Sequence, residues 1–190
     1  MGLFLSDGWL SVPYYFVWQI ALFLSLKSSL SAYGGAIALA ALVGALTGML
    51  LGRHIDAGHG RRSVAVAFSL VSMTLVLRAV SIDTPWLAVA ANALGAFVHG
   101  LVMPALLTPV YNFAKASPCA LRFHIASEGA WDVGCCSGCL LTALLVAHGA
   151  PLSSVMLLGF AGVAGQVLLL RRYYQRLRSW EPEQQERIAV

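Results

Sequence analysis

Two carboxylates lie four residues apart in an apolar stretch of this 190-residue chain, ASEGAWDVGCCSGCLL. At that spacing Glu128 and Asp132 share one face of a helix, and a carboxylate inside a membrane helix faces protein or water. One interpretation is a structural ion pair, either with Arg122, six residues earlier, or with Arg61 or Arg62 from another part of the chain. The other interpretations are a proton-carrying pair and a direct contact to a bound solute.

A second polar row lies within the apolar segment 86–114. Asn92, Gly95 and His99 recur at i, i+3 and i+7, so they fall on one side of a helix. Histidine ordinarily titrates near neutral pH, and His99 could therefore relay a proton or bind a solute. The simpler interpretation is a hydrogen bond from His99 to a serine or a backbone carbonyl of a neighbouring helix.

The densest cluster of charge is LLGRHIDAGHGRR, at residues 50–62. It can be interpreted as a basic turn with glycines, or as a metal site, because His54, Asp56 and His59 are ligand types for divalent metals. No fourth ligand is in view, so we predict no metal there. The cysteines at 135–139 also predict no metal site, because only the first and last share a helix face and cysteine packs as a small hydrophobe. We expect no cofactor.

These side chains must be positioned by membrane-spanning helices. The chain is 59% hydrophobic and only 11% charged, whereas a soluble domain carries about 25% charged residues. Six apolar segments are each about 18 residues or longer, enough to cross a hydrocarbon core as a helix. They are 13–31, 33–52, 63–80, 86–114, 123–147 and 152–170. The sequence therefore predicts an all-α polytopic membrane protein with six transmembrane helices.

The loops predict how this bundle is oriented. Ten of the twelve basic residues lie in the loop 53–62, the loop 115–122 and the C-terminal tail, all on one side of a six-span path. By the positive-inside rule that side is cytoplasmic, so both termini face the cytoplasm, and we expect a bacterial inner membrane. The other two, Lys27 and Arg78, lie near the opposite side, where long side chains can snorkel out of the lipid. The net charge of +4 is thus interpreted as a topology signal, with no nucleic acid as partner.

The domain boundaries follow from these spans. We predict three segments: a cytoplasmic N-terminal segment at 1–12, a six-helix bundle at 13–172 and a cytoplasmic basic and polar tail at 173–190.

Helix packing has two further signals. Gly44, Gly48 and Gly52 recur every four residues in the second span, and such small-residue faces let helices approach closely in lipid. They are expected to pack within the bundle, or against a partner chain. Pro104 and Pro109 lie in the second half of the fourth span and predict a bend there.

The loop between the second and third spans resembles the loop motif of the major facilitator superfamily, which joins the second and third helix of each six-helix half. The matching residues are Gly52, Asp56, Gly60, Arg61 and Arg62. Six spans with both termini inside equal one half of that fold, which is built as a 3+3 inverted repeat. Gly60 comes four residues after Asp56 instead of three, and Ala57 stands where a basic residue is common. These departures indicate the equivalent of a C-terminal half.

The resemblance implies roles for several residues. The matching loop would act as a conformational latch, in which Asp56 meets a helix end of the neighbouring half and the arginines hold the carboxylate or lipid phosphates. The first and fourth spans would line the substrate path. The candidates on that path are Trp18, Gln19, Asn92 and His99.

The predicted function is secondary transport of a small solute, with proton coupling as one possibility. Binding sites in this architecture lie between two halves, so the chain would need a second six-helix half, either another copy or a separate chain. The alternative is a truncated or non-transporting membrane interaction protein. The sequence contains no Gly-x-x-x-x-Gly-Lys-Ser/Thr loop for ATP and no Gly-x-Ser-x-Gly motif, and we predict that it is not an enzyme. The expected partners are the lipid bilayer, the small-molecule substrate and that second half.

Overall fold

The computed structural model describes the backbone of residues 1–51 and 60–188, and the side chains of residues 1–49, 64–103 and 106–175. Within these ranges all regular secondary structure is helical. The elements are α1 (Gly2–Ser11), a π-helical turn (Val12–Val17), α2 (Trp18–Ser25), α3 (Leu30–Leu51), α4 (Gly60–Ser81), α5 (Pro85–Ala116), α6 (Ala120–Ala147), α7 (Leu152–Met156) and α8 (Gly159–Ile188).

Five helical segments of the described chain are long and apolar enough to cross a membrane. They are Leu30–Met49, Val64–Ser81, Pro85–Ala116, Ala120–Ala147 and Leu152–Gln175. A sixth helical segment precedes them, because α1, the π turn and α2 follow one another without a break. This segment, residues 2–25, is called the first span below. The sequence prediction of an all-α chain is confirmed for the described residues, and several of its helices are long and apolar enough to span a membrane.

The first span differs from its predicted range. It was expected at residues 13–31, after a separate segment at 1–12, but its helix begins at Gly2 and ends at Ser25. The chain turns at Lys27 and Ser28, whose φ angles of 54° and 56° cannot continue a right-handed helix. Residues 2–12 are therefore part of the bundle's first helix, and Asp7 lies inside it.

A π-helical turn interrupts the first span at its middle. Pro13 lies in this turn and has no backbone N–H, so it cannot donate the usual hydrogen bond to the preceding helical turn. Helices accommodate such a missing bond by a locally wider turn, and these turns are frequent at functional sites. Here the wider turn carries Tyr14 and Tyr15.

The other helix ends also differ from the predicted spans. The fourth span is helical without interruption through Pro104 and Pro109 to Ala116, and the bend predicted at its prolines stays a prediction. The last span starts with the short α7, and α8 then continues to Ile188. Residues 173–188, expected as a separate tail, belong to the helix that begins in the bundle.

The helices form two packed groups. The first span packs mainly against α6 and α8, whereas α5 packs mainly against α3 and α4. Contacts between α4 and α8 join the groups. Two clusters of buried apolar side chains fill the interior, one centred on α4, α5 and α8 and one around α2. Of the five long apolar helices, α6 is the least buried and α3 the next.

Candidate functional site

The aspartate of the first span is the centre of a polar site inside the bundle. The Oδ1 atom of Asp7 accepts a hydrogen bond from Nε2 of Gln166 at 2.7 Å. Its Oδ2 atom accepts one from the indole nitrogen of Trp131 at 3.1 Å. The three residues come from α1, α6 and α8, so the carboxylate joins the three helices of one packed group.

Close backbone contact brings these helices together. A Cβ atom at Gly8 would collide with the backbone of Trp131 and Cys135, and one at Gly134 would collide with the backbone of Leu5. On the other side, a Cβ atom at Gly165 would overlap the hydroxyl of Ser6. Small residues permit such approach in lipid, where helix association depends on packing rather than on the exclusion of water. Both donors can therefore reach Asp7.

A second polar contact lies about two helical turns further along the first span, at the π turn. The hydroxyl of Tyr15 and Nδ1 of His99 are hydrogen bonded at 2.6 Å, and the two rings meet edge to face. The neighbouring Tyr14 donates a hydrogen bond from its hydroxyl to the carbonyl of Gly95 at 3.2 Å. The partner of His99 is thus a tyrosine, and not the serine or backbone carbonyl expected from the sequence.

Arg78 points into the bundle, which corrects the prediction that it snorkels to the membrane surface. Its side chain is only 3% exposed, and Nη1 donates a hydrogen bond to the carbonyl of Tyr14 at 2.6 Å. The guanidinium lies over the rings of Tyr14 and Trp18, with Cζ 4.2 Å and 4.9 Å from their centroids. Cation–π contacts of this kind stabilise a buried guanidinium. No carboxylate in the described part of the chain pairs with it.

Two of the four predicted path residues, Trp18 and Asn92, contact each other, and Gln19 does not join them. Trp18 donates a hydrogen bond from its indole nitrogen to Oδ1 of Asn92 at 2.9 Å, and Nδ2 of Asn92 donates to the carbonyl of Ala36. Gln19 instead accepts a hydrogen bond from the hydroxyl of Tyr33 at 2.9 Å. Trp18 and Asn92 are buried and fasten the first span to α3 and α5, so their polar atoms are already occupied.

Two cavities adjoin Asp7. A small cavity of about 30 Å³ is lined on its polar side by Asp7, Ser11, Tyr15, His99 and Gln166. A larger, open groove of about 280 Å³ lies on the other side of the aspartate. The groove is bounded by Asp7, Glu128 and Trp131 together with apolar side chains of α1 and α5. Asp7 is therefore the one carboxylate that lines both.

The two carboxylates of α6 lie on its outer surface. Glu128 and Asp132 are both exposed, and neither forms an ion pair with another described residue. Arg122, one of the partners expected from the sequence, is exposed as well. Glu128 nevertheless reaches the edge of the groove that leads to Asp7. The outer face of α6 thus holds two acids without a counter-charge within the described chain.

The latch loop is beyond what the structure describes. Gly52 and Asp56 lie outside the described residues, and so do the side chains of Arg61 and Arg62, although Gly60–Ser81 is helical. Of the glycine row, Gly44 faces Ala96 of α5, where its Cβ would make ordinary contact at 3.8 Å. Gly48 has open space at its Cβ position.

The cysteines remain free thiols: Cys135 is partly buried, and Cys119, Cys136 and Cys139 are exposed. Across the described residues, no three His, Cys, Asp or Glu side chains come close enough together to hold a metal ion.

Six residues of the central site were absent from the sequence-based candidates. They are Asp7, Tyr14, Tyr15, Arg78, Trp131 and Gln166. Three had a usable signal, because Asp7, Arg78 and Gln166 each interrupt an apolar helix, and such residues generally face a bundle interior. Asp7 was assigned to a segment before the bundle only because the first span was started too late.

Comparison with protein-family models, with curated proteins and with solved structures gives no match for this chain.

Proposed function

We propose that the chain is one six-helix half of an ion-coupled secondary transporter for a small solute, of the major facilitator type, and that it works with a second half. The observation that carries this proposal is Asp7, an ionisable side chain on the first helix of an apolar bundle and on the wall of two cavities. Ionisable residues within apolar membrane helices are costly and commonly mark ion or substrate pathways.

The packing of the helices supports the transporter type. If the first three spans are matched in order with the last three, the first span corresponds to α5, α3 to α6, and α4 to the last span. The first span packs on α6 and the last span, and α5 packs on the counterparts of those two helices, α3 and α4. Contacts exchanged in this way are expected for two inverted three-helix repeats.

The outer face of α6 supports the need for a second half. Glu128 and Asp132 lie 12 and 18 Å along the helix axis from Ala120, by a rise of about 1.5 Å per residue. Exposed carboxylates at that depth are unfavourable against lipid, so this face requires protein or water beside it. A second half would supply both, and α3 and α6, the least buried long helices, would form the seam.

The first experiment asks whether two copies meet at this face. Cys136 lies one helical turn beyond Asp132 and is exposed. We expect a bifunctional thiol reagent, applied to native membranes, to convert the 20.2 kDa chain into a species of twice that mass. The double variant Cys136→Ser/Cys139→Ser should lose the product, whereas Cys119→Ser should retain it. A chain that stays monomeric in every case argues against the homodimer and leaves a separate chain as the second half.

The second experiment tests transport itself. Proteoliposomes of the assembled pair would be adsorbed on solid-supported membranes and exposed to pools of amino acids, sugars, carboxylates and organic amines. We expect one pool to produce a charge-translocation current that Asp7→Asn abolishes and that empty liposomes lack. If no pool produces a current although cross-linking shows the pair, the non-transporting interaction protein replaces this proposal.

A further inference from the structure

The small cavity beside Asp7 has the features of a cation site. We propose that it binds a monovalent alkali cation, Na⁺, through oxygen atoms of Asp7 and Gln166. The binding of this ion stands on the geometry of the cavity alone. Its role as the coupling ion rests on the proposed function.

The side-chain amide of Gln166 is the observation that points to a ligand. Gln166 is fully buried, its Nε2 donates to Asp7 at 2.7 Å, and its Oε1 has no hydrogen-bond partner within the described chain. With Asp7 ionised, the opposite amide orientation would bring two oxygen atoms together at its carboxylate, so the amide nitrogen faces Asp7 and Oε1 is left without a donor. A buried acceptor is normally satisfied. Gln166 is one of the residues that line the small cavity, and a donor or a cation held there could satisfy this acceptor.

The chemistry of the lining selects a hard cation of single charge. Hard cations take oxygen ligands, and the cavity offers the carboxylate of Asp7, the amide oxygen of Gln166 and the hydroxyl of Ser11. One carboxylate balances one positive charge. A volume of about 30 Å³ accommodates one species the size of a water molecule, for which roughly 10–15 Å³ suffices.

The other charged and titratable groups around Asp7 leave room for this charge. Tyr15 and His99 line the cavity but are bonded to each other at 2.6 Å. The guanidinium of Arg78 lies against the ring of Tyr14, which also lines the cavity, and donates to the carbonyl of that residue. Glu128 lines the larger groove but not the small cavity. Within the described residues, neither Lys nor Arg lines the cavity itself.

The test measures binding without any transport step. The full-length protein, purified in detergent at pH 8, would be titrated with NaCl against choline chloride at constant ionic strength. The readouts are the thermal unfolding midpoint and the fluorescence of the tryptophans, because Trp131 donates directly to the liganding carboxylate. Since a ligand of the folded state raises its stability by mass action, we expect a saturable, Na⁺-dependent rise in the unfolding midpoint.

Matched variants identify the ligands. Asp7→Asn keeps the shape of the side chain but removes its charge, and Gln166→Met removes the amide oxygen. We expect the apparent Kd for Na⁺ to rise about 100-fold in the first and about 10-fold in the second, the range for the loss of groups that form or support an ion site. The controls are Asp83→Asn and Gln175→Met, the same changes at exposed positions, and both should retain the wild-type Kd.

Three results would overturn the proposal. Equal responses to sodium and choline would mean an ionic-strength effect, and no response from folded protein would mean that water alone satisfies Gln166. A response that acidification reproduces in choline chloride would assign the site to protonation of Asp7. Failure of transport in the proteoliposome experiment would leave the Na⁺-binding result intact, so the two proposals fail separately.

Discussion

The aspartate of the first span and the two acids of α6 all lie in apolar helices, but the first faces the interior of the bundle whereas the other two are exposed. Asp7 lies in an apolar helix and receives hydrogen bonds from Trp131 and Gln166 inside the bundle. Asp132 also lies in an apolar helix, and it is exposed without an ion-pair partner in the described chain. Hydropathy alone does not separate these positions, because both carboxylates lie in largely apolar helical stretches.

The space around the neighbouring glycines distinguishes the interior position from the exposed one. On the inner side of α6, Gly134 and Gly138 contact backbone and side-chain atoms of the first span, and Gly8 of α1 contacts the backbone of α6 in return. On the outer side, a Cβ at Gly129 would meet no atom within 4 Å. Glycine on the same helix thus marks a tight interface on one face and open surface on the other. The interface is what gives Asp7 its two donors.

The largest effect is expected from filling that interface. In Gly134→Leu the new side chain would collide with the backbone of Leu5 and Trp9, which cannot move aside as a side chain can. Overpacking of a tight interface destabilises by about 1–3 kcal/mol and occasionally more, so we expect a loss of about 3 kcal/mol in the free energy of unfolding. The midpoint of SDS-induced unfolding, followed by circular dichroism, measures it.

Gly129→Leu is the matched control for this change, since it places the same side chain on the outer face of the same helix. It should leave the free energy of unfolding within about 0.5 kcal/mol of the wild-type value, or raise it, because leucine is a better helix former than glycine. Equal losses in the two variants would contradict the packing of α1 on α6.

The next effect compares the two aspartates directly. Asp7→Ala leaves the indole nitrogen of Trp131 and the amide nitrogen of Gln166 without their acceptor. Each buried unsatisfied group costs about 1–3 kcal/mol, less where a partner is found in the unfolded state in the membrane, so we expect a total loss of about 2 kcal/mol. Asp132→Ala, measured in the same detergent, should change stability by no more than about 0.5 kcal/mol. A larger loss at Asp132 would place the functional carboxylate on α6 instead.

The sequence predicts the helices, but it does not predict which polar side chains meet between them, for physical reasons. Apolar length alone reveals α3 to α6, because lipid demands it whatever the neighbours are. The first span was predicted to start at residue 13, whereas its helix begins at Gly2, so the prediction left Asp7 outside the span. Whether a charged side chain in a helix faces inward depends on contacts made by other helices, and these are not local in sequence.

The orientation of the basic residue Arg78 also depends on contacts made by another helix. It lies in the last turn of α4, where snorkelling is the usual expectation for a long basic side chain. It turns inward because Tyr14 and Trp18, some sixty residues earlier, present two ring faces and a carbonyl at its level. His99 and Asn92 were selected correctly as polar positions of one helix, but their partners, Tyr15 and Trp18, could not be derived from the period of α5.

The smallest loss of stability is expected from removing only one of the two donors to Asp7, the indole nitrogen of Trp131. Trp131→Phe keeps an aromatic ring between α1 and α6 and removes only the indole nitrogen that donates to Oδ2. One such bond contributes about 1 kcal/mol, so the free energy of unfolding should fall by that amount. The control is Trp86→Phe, at a residue that is 72% exposed, and it should leave the free energy of unfolding unchanged. In the double variant Asp7→Ala/Trp131→Phe the loss should be smaller than the sum of the single losses, because the phenylalanine no longer carries a donor to be stranded. Strict additivity would mean that Asp7 and Trp131 are not coupled, and the distinction between the inner and outer acids would then rest on Gln166 alone.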